Sequence, residues 1–133
     1  MKVKKKIVYL LVACMVMITS AISVYAVSGS YSTYYDMKGG VYSQRTWDAT
    51  AAPRFDIGVS QAYSSEYLYN KLNCYLEKKV PWGWGNADSD QVPVATGGYM
   101  LLRGNESGTY RLYFRLEATG YRASGGLNIE WSW

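Results

Sequence analysis

The stretch TYRLYFRLEAT, residues 109–119, decides the fold class. Tyr110, Leu112, Phe114, Leu116 and Ala118 alternate with Arg111, Tyr113, Arg115, Glu117 and Thr119. Successive side chains of an extended chain point to opposite faces, so this period of two describes a strand with one buried face and one wetted face. The pattern returns after GYRASGG in LNIEWSW, where Leu127, Ile129, Trp131 and Trp133 share one face and Asn128, Glu130 and Ser132 the other. Two such runs around a glycine-bearing connection read as a hairpin with a longer loop. The C-terminal tryptophans then belong to a sheet, and removing Trp131 to Trp133 destabilises it.

Upstream the signals stay short and alternating. Arg54 to Val59 turns Phe55, Ile57 and Val59 inward, and GVYSQRTW (40–47) and YMLLR (99–103) are weaker strand candidates. Gly104-Asn105 and Ser107-Gly108 mark a turn region before the decisive strand. SSEYLYNKLNCYLEKK (64–79) fits two patterns. Leu68, Leu72, Tyr75 and Leu76 form a helical stripe with Ser64 as N-cap, whereas Leu72, Cys74 and Leu76 alternate as in a strand. Its tyrosine, asparagine and cysteine content is poor for a helix, which favours strand. Many short strands between turn signals predict an all-β fold, a small antiparallel β-sandwich or barrel.

The N-terminus follows a different logic. MKVKKK is followed by the uncharged run IVYLLVACMVMI and then by small residues, the order of a secretory signal peptide with a helical apolar core. Val24 and Ala26 place small side chains before a cut between Ala26 and Val27, which predicts a signal peptide over 1–26 and one secreted β-domain over 27–133. Two other readings stand beside it. Leu11-Val12-Ala13-Cys14 looks like a lipobox ending in a lipidated Cys14, and the uncharged residues 7–27 approach the length of a membrane anchor.

Export alters the charge. Lys2, Lys4, Lys5 and Lys6 supply four of the fourteen basic residues, so the secreted part carries ten basic against ten acidic residues. The basic footprint of a nucleic-acid binder is therefore absent, and so is a strongly cationic, membrane-disrupting face. With Cys14 removed, Cys74 has no partner within the chain; sharing a face with Leu72 and Leu76, it is expected to be a buried small hydrophobe. The secreted part also holds twelve tyrosines, five tryptophans and two phenylalanines. Such residues suit strands and make broad amphipathic contact surfaces.

The chain has no histidine, the residue that most often serves as general base or metal ligand. Ser-His, Cys-His and histidine-based zinc chemistry are thus excluded within it. Sequence spacing nominates no carboxylate pair for acid–base hydrolysis. The expectation is a protein that is not an enzyme and uses no cofactor.

VPWGWGNADSD (80–90) is the densest candidate for a ligand site. Asn86, Asp88 and Asp90 have the oxygen spacing that begins a calcium loop. Gln91 stands where such a loop needs glycine and Gly97 where it needs a bidentate glutamate, so these residues read as turn formers and not as metal ligands. Trp82 and Trp84, one residue apart, would project the same way from an extended segment, as a platform for a sugar or a partner surface. Pro81, Gly83 and Gly85 predict an irregular surface loop. Trp82, Trp84 and nearby Tyr99 are the candidate binding residues.

Phe55-Asp56-Ile57, Gln61-Ala62-Tyr63-Ser64-Ser65, Tyr110-Arg111-Leu112 and the closing Trp-Ser-Trp resemble small exported proteins of Gram-positive bacteria that form a domain of unknown function. That resemblance implies a signal peptide, an aromatic-rich β-body and no assigned activity. Tyr31-Ser-Thr-Tyr-Tyr-Asp36 resembles the Tyr/Ser-rich segment of lactococcin-type bacteriocins, which carry a histidine soon after it, as this chain does not. The leading expectation is a monomeric, non-catalytic secreted domain that binds a cell-envelope component or protein partner. A bacteriocin-like antagonist and a structural coat or matrix component, assembling through strand edges or Cys74, are the alternatives.

Overall fold

The computed structural model describes residues 26–133. Apart from Ala26, the expected signal segment lies outside the described residues, as do Cys14 and nearly all of the 7–27 anchor. Every regular element among the described residues is a strand: β1 (Ser28–Lys38), β2 (Gly40–Ala49), β3 (Arg54–Val59), β4 (Ser64–Ser65), β5 (Lys71–Val80), β6 (Gly83–Pro93), β7 (Gly98–Arg103), β8 (Gly108–Leu116) and β9 (Arg122–Ser132).

The strands form two antiparallel sheets. The first has the order β1-β9-β3-β7, with β4 pairing the start of β9, and the second has the order β2-β8-β5-β6. Their inner faces share one core, so the fold is a sandwich and not a barrel. That core holds Phe55, Ile57, Leu72, Leu76, Met100, Leu102, Leu112, Leu116 and Ile129, each fully buried, with Tyr35, Trp47, Tyr110, Phe114 and Trp131 as its aromatic part. Trp47 meets Phe55 edge to face at 5.1 Å and lies 5.8 Å from Trp131. Replacing a tryptophan buried in this way by alanine costs about 3–5 kcal/mol.

The alternation in 109–119 and 127–133 is real, but the hairpin expected from it is not. Strand β8 lies inside the second sheet between β2 and β5, and β9 lies inside the first between β1 and β3. The two apolar faces oppose each other across the core, and residues 117–121 carry the chain from one sheet to the other. A period of two specifies which face is buried but not which strand is the neighbour. Gly39, at a φ of 101° that suits glycine, makes the tightest of the crossings between the sheets, from β1 to β2.

Segment 64–79 divides. Ser64–Ser65 is a two-residue strand, residues 66–70 are irregular, and the strand pattern holds from Lys71 onward. Asn70 fixes the junction. Its buried side chain donates to Ala118 O and accepts from the Lys71 and Ala118 amides. Cys74 is fully buried, and burial pushes its thiol well above the ordinary value, with the Asp90 carboxylate adding to the shift.

The irregular loop expected over 80–90 is a hairpin instead. Val80 pairs with Gly83 across a tight turn at Pro81-Trp82, and Gly83 to Pro93 is strand. Proline at the second position of a turn presets its backbone, and the turn is complete within two residues. Asp88 and Asp90 lie in strand positions paired with Leu76 and Cys74, so both turn toward the gap between the sheets. There Asp88 accepts from the Arg103 amide at 2.8 Å and Asp90 from the Leu101 amide at 3.0 Å. Edge strand β6 thereby satisfies outward amides of edge strand β7.

Candidate functional site

The outer face of the first sheet carries a groove of about 560 Å³. Its floor is one row of the ladder, which runs Ser32 (β1), Asn128 (β9), Gly58 (β3), Tyr99 (β7) by direct cross-strand pairing. Ser60, Tyr63 and Thr96 from the loops at the end of the sheet form one wall. Tyr99 is 88% exposed and Tyr63 72% exposed. A phenol ring standing in water is an amphipathic surface with a free face.

Hydrogen bonds fix the polar part of the floor. Ser32 Oγ donates to Asn128 Oδ1, and Asn128 Nδ2 donates to Glu130 Oε1, both at 3.1 Å. The amide is held in one orientation, while its oxygen keeps a second lone pair and its nitrogen a second N–H. At the far wall the Ser60 hydroxyl accepts from the Gly126 amide at 2.8 Å and donates to Gln61 O.

No charged side chain lines the groove. The nearest charge is Glu130, which accepts from Asn128 Nδ2 and has no ion-pair partner among the described residues, and two ion pairs lie on the same sheet. Arg54 donates twice to Asp56 at 2.8 Å and Arg122 twice to Asp36 at 2.8 Å. Each arginine holds its aspartate carboxyl below the ordinary 3.8. Asp56 and Glu130 face each other across β3 and β9. With Arg54 keeping Asp56 ionised, that residue is suited to an ion pair and not to donating a proton. Among the described residues, no group of three or more histidine, cysteine, aspartate or glutamate side chains is placed to hold a metal ion.

The three residues nominated from sequence do not converge. Tyr99 stands on the groove, on the outer face of the first sheet. Trp82 sits at the tip of the β5–β6 hairpin and is 85% exposed. Trp84 pairs with Lys79 on the outer face of the second sheet, where the Arg111 guanidinium lies 4.2 Å from its ring centroid. Arg111 also lies 4.0 Å from the Tyr42 ring and is paired to Glu77 at 2.6 Å. One face of Trp84 is therefore occupied by a cation–π contact within the chain, and Trp82 sits in the turn and not in the strand that carries Trp84. Sequence reading missed Tyr63, Asn128, Ser32 and Gly58. Gly58, a glycine inside an alternating strand, was the signal that could have found them.

No protein-family model matches this chain, and no curated protein matches it. Among solved structures it is similar to a mitogen derived from Yersinia pseudotuberculosis (TM-score 0.48, 10% identity, covering 79% of this chain and 84% of that one). It is similar also to a protein of the Bacillus endospore appendages, described as disulfide-linked pili (TM-score 0.49, 9% identity, 81% and 87%). A third is a periplasmic inhibitor of g-type lysozyme from Aeromonas hydrophila (TM-score 0.45, 10% identity, 83% and 90%). Likenesses of this depth carry nothing about what the chain binds.

Proposed function

We propose that this protein is an exported, non-catalytic binding domain of the bacterial cell envelope, with the groove at Tyr99 as its contact surface. The observation that carries the reading is the groove itself, uncharged in its lining, bearing two exposed tyrosines and built on paired strands. Its volume lies within the roughly 300–1,000 Å³ of ordinary ligand sites. The signal-type N-terminus and the neutral charge balance after Ala26 support export and an envelope partner. The absence of histidine from the sequence and the clamped Asp56 support binding over catalysis. A coat component linked through Cys74 is disfavoured by the burial of that thiol.

Fractionating a Gram-positive host that makes the full chain tests both halves. The expected product in the medium or on the wall begins at Val27 by mass spectrometry. Purified wall is expected to retain wild type and Trp82→Ala alike, and Tyr99→Ala about tenfold less, the loss of one stacking contact. Equal retention of Tyr99→Ala contradicts the assignment of the groove, and a chain kept whole inside the cell contradicts export.

A further inference from the structure

We infer that the groove is built for a neutral glycan chain, an inference that rests on the reading of the groove as the contact surface. Gly58 is the first argument. It is the penultimate residue of β3 and paired on both sides, where glycine weakens a strand, yet its backbone is outside the left-handed region that would require glycine. A Cβ placed there would rest 3.4 Å from Tyr99 Cε1 and 3.7 Å from Asn128 Cβ, ordinary contacts that the fold would accept. Gly126, also in the groove, is different, because a Cβ there would press within 2.7 Å of the Tyr63 hydroxyl. The Tyr63 and Ser60 side chains crowd Gly126, whereas no neighbour crowds Gly58, and a ligand lying on the floor between Tyr99 and Asn128 accounts for that glycine directly.

Chemical complementarity names the ligand. The lining has no cation to neutralise a phosphate or a carboxylate, and the carboxylate beside it, Glu130 on Asn128 Nδ2, would repel them, so an anionic wall polymer or an acidic peptide would lose its hydration without a partner. The backbone groups between the strands of the floor are spent in the ladders of β1, β9, β3 and β7, so an added peptide strand could pair only along the outer edge of β1 or β7 and not across the floor. A sugar ring has an apolar C–H face that fits a phenol ring. Its hydroxyls donate and accept, as the remaining donor and acceptor of the oriented Asn128 amide require. Tyr99 and Tyr63 would take ring faces, and Asn128 and Ser32 the hydroxyls.

The test is affinity electrophoresis of the purified full chain in native gels containing a soluble β-glucan, a mannan or a dextran, with pull-down on peptidoglycan sacculi freed of anionic wall polymers. At least one of these materials is expected to hold the protein, with no weakening at raised salt because no ion pair is involved. Binding should fall about tenfold in Tyr99→Ala and in Gly58→Ala, while Gly58→Ala melts at or above the wild-type temperature. If untreated wall retains wild type but not Tyr99→Ala, and every neutral glycan fails, the groove binds something else and the glycan inference is overturned. Retention that ignores Tyr99→Ala, or no retention on any material, overturns the groove reading as well. Undiminished glycan binding by Gly58→Ala would return that glycine to the fold and remove the floor contact.

Discussion

Arg111 determines what Trp84 is used for, and the same kind of local bookkeeping separates structural from available aromatics throughout the chain. Trp84 and Tyr42 lie against one guanidinium, and Tyr113 stacks on Tyr42 at 4.5 Å. Tyr99 and Trp82 have no such cover. The sequence made all of them visible as aromatics, but a cation–π partner 27 residues away was not legible from spacing. Tyr35 is a different case. It is 2% exposed, and its hydroxyl has no hydrogen-bonding partner among the described residues. Burial, reinforced by nearby Tyr63, raises its pKa to about 12 from the ordinary 10.0. The raised value means that the folded state holds the phenolic proton more tightly than the unfolded state. The stability linked to Tyr35 is complete below pH 10 and is lost as pH climbs toward about 12. Tyr35→Phe is expected to leave the urea midpoint at pH 7 within about 1 kcal/mol of wild type, since no bond is broken, and to flatten the alkaline loss. A loss of more than about 2 kcal/mol at pH 7 would show that the hydroxyl is bonded after all.

The strands were legible one by one and their neighbours were not. β3, β8 and β9 follow alternations readable in the sequence, and β2 and β7 fall on its weaker strand candidates. β1 was hidden because tyrosines stand on both of its faces, Tyr34 outward and Tyr31 and Tyr35 inward, and blur the period, and β6 because tryptophan, glycine and aspartate look like a turn. The two aspartates of β6 have a use that loop chemistry does not anticipate. Inward-turned charges on an edge strand are a known guard against edge-to-edge pairing, and here they also cap the amides of Leu101 and Arg103. Asp88→Ala with Asp90→Ala should lower the stability measured in urea by about 2 kcal/mol, within the range of charge-assisted bonds at half-buried sites. It should also increase self-association, by light scattering, through the freed edge of β7. The corresponding double asparagine variant keeps the acceptors and is expected to lose less than half as much. Equal losses in the two variants would assign the effect to charge and not to the caps.

At the scale of the whole molecule, the two sheets bring residues far apart in sequence to one surface. Val27 and Trp133 exchange backbone hydrogen bonds at 2.9 Å, so residues 106 positions apart extend the same sheet. The groove is assembled in the same way, from β1, β9, β3 and β7 with two loops. Composition made the wealth of aromatic residues visible, and the lack of histidine removed histidine-based chemistry. Tyr99 was found because it stood near a suspicious loop, not because its neighbours could be read. Asn128, Gly58 and Ser32 occupy outward positions that alternation assigns to solvent, and only the strand order places them in one row. The central claim is that this row, and not the hairpin tip or the second sheet, contacts the envelope glycan. It is tested most directly by backbone amide NMR of the isotopically labelled protein during titration with solubilised, neutral wall glycan. The expected shifts are confined to Ser32, Gly58, Tyr63, Tyr99, Asn128 and their immediate neighbours. Shifts centred on Trp82 or on the Tyr42–Arg111–Trp84 face, or none at saturating glycan, would contradict the account.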